Sequence, residues 1–435
     1  MLPKLYAHHI SRLEQVYTEA LEPLDVEGVL IHSGSAAYYH ADDREISFQA
    51  YGHFLHWIAV NRPDQFLLFR PGYKPVYYQV VPTDFWYEQE IQTDPLWLSA
   101  FDIVQVDSLE GVKRDLPSSR ISYLGDNEAL GDALGLDEGL CNPGSLLRYI
   151  DYYRAFKSDY EIDQLREANR LALIGHDAAR ECFQAGGSEY DIHLAYLGAC
   201  KILEDEAPYT NIVGINEKSA ILHYQNKRRT TENNQVLLID AGYRVRAYCS
   251  DITRTTASST AHTVFKSLLT GMEKLELGLI EQIEPGKSYV EIHLAALRAI
   301  AALLIDLEIC SGSVDELMDQ QIPQLFMPHG VGHLLGINVH DAGGRQQDVL
   351  GNELQPPAHS PMLRNTRLME KDMVFTIEPG CYFIPLLLEP ERNQSRGKNI
   401  NWSAVDELYS HGGIRIEDNV RVTESAAENL TRQFE

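Results

Sequence analysis

A repetition about one hundred residues apart constrains this chain more than any other feature. Ile-His-Leu-Ala-x-Leu occurs at 192–197 and again at 292–297. Each copy follows a glycine turn, and each has an amphipathic helix upstream, over about 158–183 and about 263–283. The first upstream helix opens on Ser158-Asp159-Tyr160-Glu161, a capping box in which the Ser and Glu side chains each satisfy a free backbone N–H. It carries Ile162, Leu165, Ala168, Ala172 and Leu173 on its apolar side and stops at Gly186-Gly187; Ser188 starts the next helix. Strand-like runs ending in acids follow each copy. They are VLLIDAG from Val236 and SDITRTT from Ser250, then MVFTIEPG from Met373 and GIRIEDNVRV from Gly413. The pairs match in order and type, IDAG with IEPG and SDITR with RIEDN. The pattern predicts two similar halves over 158–435, each helix–helix–strand–strand and related by a pseudo-twofold axis. Their strands meet in one antiparallel sheet with helices outside.

That symmetry brings four acids together: Asp240, Asp251, Glu378 and Glu417. Acids at the ends of apolar strands are expensive to bury unless they are paired or bind metal. Four carboxylates and one imidazole form a hard, oxygen-rich set that suits two divalent ions such as Mn²⁺, with Co²⁺ or Zn²⁺ as alternatives. Ions about 3.5–4 Å apart and bridged by carboxylates hold a water between them as a hydroxide, a nucleophile for a carbonyl or phosphoryl centre. The imidazoles come from the run 326–343, which places His329, His333 and His340 among Gly330, Gly332 and Gly336. A helix presenting His329 and His333 to Zn²⁺ is one reading. Two glycines inside a helix cost roughly 2 kcal/mol, which favours a loop and strand with one histidine as ligand and the others facing substrate. An imidazole near the scissile carbonyl can stabilise an oxyanion. Arg415 lies two residues before Glu417, on the same strand face, where it can orient the carboxylates.

A length of 435 residues calls for two domains. Over the first 150 residues the signals are mixed. Residues 4–23 read as an amphipathic helix, 26–31 as a buried strand ending in a turn, 66–69 with 75–81 as a hairpin, and 121–125 as another strand. This predicts a three-layer α/β domain over 1–157, with no phosphate-binding glycine loop. Residues 40–44 read as a polar loop. A net charge of −26 excludes nucleic acid as a partner. The cysteines at 141, 182, 200, 249, 310 and 381 show no CxxC pair and read as reduced, buried thiols of a cytoplasmic protein. The N-terminus lacks the apolar core of a signal peptide. The apolar run 294–307, broken by Arg298 and Asp306, is too short to span a bilayer, so no membrane partner is expected.

Taken as a set, LLIDAG, SDITRT, PHGVGHLLGINVHD, TIEPG and GGIRIEDN resemble the five motifs of the metal-dependent pita-bread peptidases, which include methionine aminopeptidase, aminopeptidase P and prolidase. The resemblance covers 158–435. It is nearest to the bacterial proline dipeptidases and to the related organophosphorus acid anhydrolases. Pro208-Tyr209-Thr210-Asn211-Ile212-Val213, ILHY at 221–224, RNTR at 364–367, YFIPLL from Tyr382, Asn401-Trp402 and ENLTR at 428–432 favour that branch. HSG at 32–34, Asp42-Asp43 and PTDFW at 82–86 fit it in the first domain.

The resemblance implies an α+β protein: an N-terminal α/β domain that dimerises and lids the active site, and a catalytic pita-bread domain. It implies Asp240, Asp251, His333, Glu378 and Glu417 as ligands of two divalent ions, with Asp251 and Glu417 bridging. Glu378 is expected to shuttle a proton, His340 to stabilise the tetrahedral intermediate, His223 and His329 to contact substrate, Arg364 to hold its carboxylate and Tyr209 to line the pocket. A homodimer is implied, with Asp43 or Trp86 closing the neighbouring subunit's pocket. The expected activity is metal-dependent hydrolysis of dipeptides with C-terminal proline, with a side activity on P–F or P–O bonds. Alternatives are an organophosphorus acid anhydrolase, a Xaa-Pro aminopeptidase and, with all five ligand positions filled against it, a metal-free binding module. Arg244, Arg246 and Cys249 stand where relatives carry small or neutral residues, and none is a ligand position.

Overall fold

The computed structural model describes residues 1–91 and 94–435. The chain divides into two compact units. The first comprises Met1–Arg154, Ser158–Ile162 and Asp348–Asn352, and the second comprises Ala155–Lys157, Asp163–Gln347 and Glu353–Glu435.

In the first unit, helix Leu2–Leu21 buries Tyr6, Ile10, Leu13, Tyr17 and Leu21, spaced three or four apart along one face. The sheet comprises β1 (Gly28–His32), β2 (Phe66–Phe69), β3 (Val76–Val80), β4 (Asp102–Val106) and β5 (Ile121–Leu124), in the order β4-β3-β2-β1-β5. β2 and β3 form the expected hairpin, with Leu68 opposite Val76. β4 pairs parallel to β3 at the sheet edge. Its residues are half-exposed, so DIVQV lacks the apolar run that marked the other strands.

The second unit repeats itself as the sequence does. Helices Glu189–Cys200 and Tyr289–Asp306 both start on a closed capping box, Ser188 with Asp191 and Ser288 with Glu291. Its strands are β6 (Ile212–Ile215), β7 (Val236–Ala241), β8 (Arg244–Val245), β9 (Tyr248–Cys249), β10 (Ile252–Ala257), β11 (Val374–Ile377), β12 (Gly380–Tyr382), β13 (Gly413–Arg415), β14 (Asp418–Val422) and β15 (Ala427–Asn429). They form antiparallel ladders β10-β7-β6 and β11-β14-β15, with β12 paired to β13. The two halves join at a bridge between Thr253 and Glu417. The expected single sheet is thus interrupted: Pro379 offers no N–H and separates β11 from β12.

Strand alternation sets which side chains face the helices. Leu237, Ile239 and Ala241 pack with Ala179, Phe183, Ile192 and Tyr196 of the first-half helices. Phe375, Ile377, Ile414, Ile416 and Val420 pack with Leu268, Met272, Ile292 and Leu297 of the second half. Intervening positions, including Asp240, Thr376, Arg415, Glu417 and Asn419, face the other way. All six cysteines are free; Cys141 and Cys182 are half-buried rather than buried, and the other four are buried. Among the described residues, no helix is long and apolar enough to cross a membrane.

Candidate active site

The face left by that alternation is a pocket in the second unit. Asp240, Asp251, His333, Glu378 and Glu417 line it together with His223, His329, His340, Arg364 and Arg415. Asp240 is the penultimate residue of β7, Asp251 precedes β10, Glu378 follows β11 and Glu417 precedes β14, so each half supplies two acids. Thr253 Oγ1 donates to Glu417 Oε2 at 2.6 Å, and the Asn419 side chain accepts from Asp251 N at 3.1 Å. Both cross between halves and hold the two pairs of acids in register.

The histidine run is a loop, because its glycines are placed for contact rather than for helix. Gly332 has φ of +150°, and a Cβ there would overlap the Thr376 carbonyl. His333 Nδ1 lies 3.0 Å from Leu334 O. A carbonyl only accepts, so Nδ1 carries the hydrogen and Nε2 presents its lone pair to Asp251 Oδ2 at 3.4 Å and Glu378 Oε1 at 3.5 Å. His329 differs. Its Nδ1 donates to Gly330 O at 2.7 Å and its Nε2 accepts from Tyr382 Oη at 3.0 Å. Both nitrogens are engaged, so it can offer substrate only its ring. His340 stands edge-on to His333, with ring centroids 4.3 Å apart.

The electrostatics are those of a cation site. Burial, then the neighbouring carboxylates, push Asp251, Glu378 and Glu417 well above the ordinary carboxylate range. Arg415 partly offsets this charge, its guanidinium bonded to Asp240 Oδ2, Thr253 Oγ1 and Tyr382 Oη. Tyr209 Oη donates towards Asp240 Oδ1 at 2.7 Å and Asp251 Oδ1 at 2.5 Å. It therefore braces two acids, where the resemblance implied only a pocket wall. The acids outnumber the cations among them, and the donor set is oxygen with one aimed imidazole, which fits divalent metal. Burial lowers the pKa of both His329 and His340 to about 3, although the His340 ring opens to the pocket mouth. Arg364 is exposed at the pocket and forms no ion pair among the described residues.

Asp43 and Trp86 belong to the first unit and are exposed there, Trp86 at 77%. That unit holds another buried group of ligand-type side chains, His9, His56 and Glu161. His9 Nε2 donates to the His56 carbonyl at 2.8 Å and Nδ1 pairs with Ser158 Oγ at 2.9 Å, while Glu161 accepts from Ser158 N at 2.7 Å. These contacts form a hydrogen-bonded helix cap that already occupies the groups a metal would need. Thr253, Asn419, Tyr382 and Thr376 escaped the sequence reading as site residues. The first two lie inside the SDITR and RIEDN motifs at the parity of the acids, which was the available signal.

A sequence profile of metallopeptidase family M24 matches residues 163–424, more than half of the chain, and a profile of the Xaa-Pro dipeptidase N-terminal domain matches 4–152. A Xaa-Pro dipeptidase of Marinobacter nauticus is 44% identical over 432 residues, covering 98% of this chain and 97% of its own. The corresponding protein of Pseudoalteromonas atlantica is 40% identical over 441 residues, covering 100% and 99%. Aminopeptidase P from E. coli has the same fold, with a TM-score of 0.75 at 24% identity over 98% of this chain and 96% of its own.

Proposed function

The chain belongs to metallopeptidase family M24, and from that premise we propose that it is an Xaa-Pro dipeptidase working with two divalent ions, Mn²⁺ foremost. One observation carries the reading: five ligand-type side chains line one pocket, beside an exposed arginine that forms no ion pair among the described residues. Asp240, Asp251, His333, Glu378 and Glu417 would hold the ions. In such a site two divalent ions supply Lewis acidity and a hydroxide nucleophile at neutral pH.

The chain's own groups do the rest. Arg364 takes the substrate's terminal carboxylate in a charge-assisted pair, which limits the substrate to two residues. His223 and the ring of His329 line the same space. His340 is neutral at pH 7 and can donate a hydrogen bond to the oxyanion. Glu378, held protonatable by burial and Glu417, carries a proton from the attacking water to the proline nitrogen. Arg415 and Tyr209 fix the carboxylates that must not move. A homodimer covers the aromatic surface of Tyr38, Phe85, Trp86 and Tyr87, which are 49–85% exposed on the first unit.

A peptide panel tests the assignment. Ala-Pro and Gly-Pro should be hydrolysed and Ala-Pro-Ala spared. Cleavage of the tripeptide in preference to the dipeptides would assign the chain to aminopeptidase chemistry instead.

A further inference from the structure

We propose that Lys157 is a positioning residue for His340 and acts through a buried ion pair with Asp341. The inference rests on the role given above to His340. That imidazole makes no side-chain hydrogen bond among the described residues, so its aim depends on the loop that carries it. Asp341, the next residue, anchors the loop. Its Oδ2 lies 3.0 Å from Lys157 Nζ, and the two side chains are 2% and 1% exposed. The Asp341 N–H donates to Leu334 O at 2.9 Å, and the Gly336 N–H donates to Asn338 O at 3.1 Å, which closes 334–341 on itself.

The same pair accounts for a glycine in the histidine run. A Cβ at Gly336 would overlap Asp341 Oδ2 and lie 2.9 Å from Lys157 Cε and 3.0 Å from Nζ. Glycine at 336 and the acid at 341 thus serve one purpose, room for the ammonium and a partner for it.

The other end of the tether is the site itself. The Lys157 N–H donates to Asp372 O at 2.8 Å, and Phe156 bridges to Met373, immediately before the strand that leads to Glu378. Lys157 therefore ties the His340 loop to the strand carrying the proposed proton carrier. A surface pair could not do this, but removing either partner of a pair closed off from water leaves a buried charge without this counter-ion. The loop must then shift to hydrate it.

The test uses the full-length, metal-loaded enzyme with Ala-Pro and the variants Lys157→Met, Asp341→Asn, the pair of them, His340→Ala and Lys157→Met/His340→Ala. Misplacing a group through a remote change can cost on the order of 10²-fold in rate. We expect kcat to fall by that order in Lys157→Met, with KM within about twofold and metal content unchanged. Asp341→Asn should behave alike, the pair should be no worse than the worse single change, and Lys157→Met should add nothing in the His340→Ala background. With diamagnetic Zn²⁺ in the site, the His340 ring-proton NMR signals, assigned by their loss in His340→Ala, should move in Lys157→Met while those of His223 stay.

A metal-loaded Lys157→Met enzyme with wild-type kcat and unmoved His340 signals would overturn the proposal. So would an equal loss in the His340→Ala background, or a loss that tracks metal content. Should Lys157→Met fail to fold, the near-isosteric Asp341→Asn decides on the same readouts. A wild-type enzyme inactive on Ala-Pro overturns the reading of the site instead, and the NMR comparison still decides whether Lys157 aims His340.

Discussion

At the scale of single residues, the site is made of groups that would be liabilities anywhere else. Asp251 and Glu417 are buried, raised in pKa by burial and by other carboxylates, and held by Thr253, Asn419 and Tyr209. Replacing either by alanine should abolish dipeptide hydrolysis and remove about one metal equivalent per chain, measured by elemental analysis beside a rate assay. Arg364 is the opposite case, exposed and unpaired among the described residues. A hydrogen bond to a charged group is worth about 1.5–3 kcal/mol, so Arg364→Ala should raise KM for Ala-Pro about 10- to 100-fold. The C-terminally amidated dipeptide should show little difference between the two enzymes; an equal loss on both would remove Arg364 from carboxylate recognition. Asp240, Glu378 and Glu417 were legible in the sequence because each follows an apolar run, Asp251 by its place in the duplication, and His329, His333 and His340 because they sit among glycines, whereas His223 came from the family resemblance alone. The bracing by Tyr209 was not, since its hydroxyl meets acids 31 and 42 residues away through the fold alone.

At the scale of elements, alternation does most of the placing. On the run from β13 to β14, Ile414, Ile416, Val420 and Val422 enter the core, so Arg415, Glu417 and Asn419 must face the site. That much can be read from GIRIEDNVRV once the strand is recognised. Edge strand β4 could not be read, because none of its residues is buried and no apolar run marks it. Nor could Glu276, a buried acid in helix Thr263–Ile280 that sits near Asp418 and 3.8 Å from Arg432. Burial, then Asp418, raises its pKa to about 10. A group whose folded pKa is raised stabilises the fold fully only below its ordinary value, about 4.3, and that stability is lost as pH climbs towards 10. Glu276→Gln should therefore match wild type near pH 4 and exceed it increasingly in melting temperature from pH 6 to 9. A variant less stable than wild type at pH 8 would contradict the shift.

At the scale of the molecule, a duplicated helix–helix–strand–strand unit is a way to build a symmetric cage of acids. Each half contributes two, and the halves meet at the Thr253–Glu417 bridge, at the centre of the site. This duplication was visible in the chain as Ile-His-Leu-Ala-x-Leu, and the two capping boxes at Ser188 and Ser288 show it in three dimensions. A homodimer was expected from the family resemblance alone, because exposed aromatics leave no periodic signal. The surface of Phe85, Trp86 and Tyr87 should be covered in a homodimer, so light scattering should give twice the chain mass, and Trp86→Ala should shift the protein towards monomer; a wild-type monomer would refute the assembly. In the proposed enzyme, paired acids from two halves hold two metal ions that make the chain a proline dipeptidase. This is tested by stripping the protein with chelator, titrating Mn²⁺ back and following release of proline from Ala-Pro. Activity should be absent in the stripped enzyme and saturate near two equivalents per chain; full hydrolysis without metal, or intact Ala-Pro at full metal load, would contradict it.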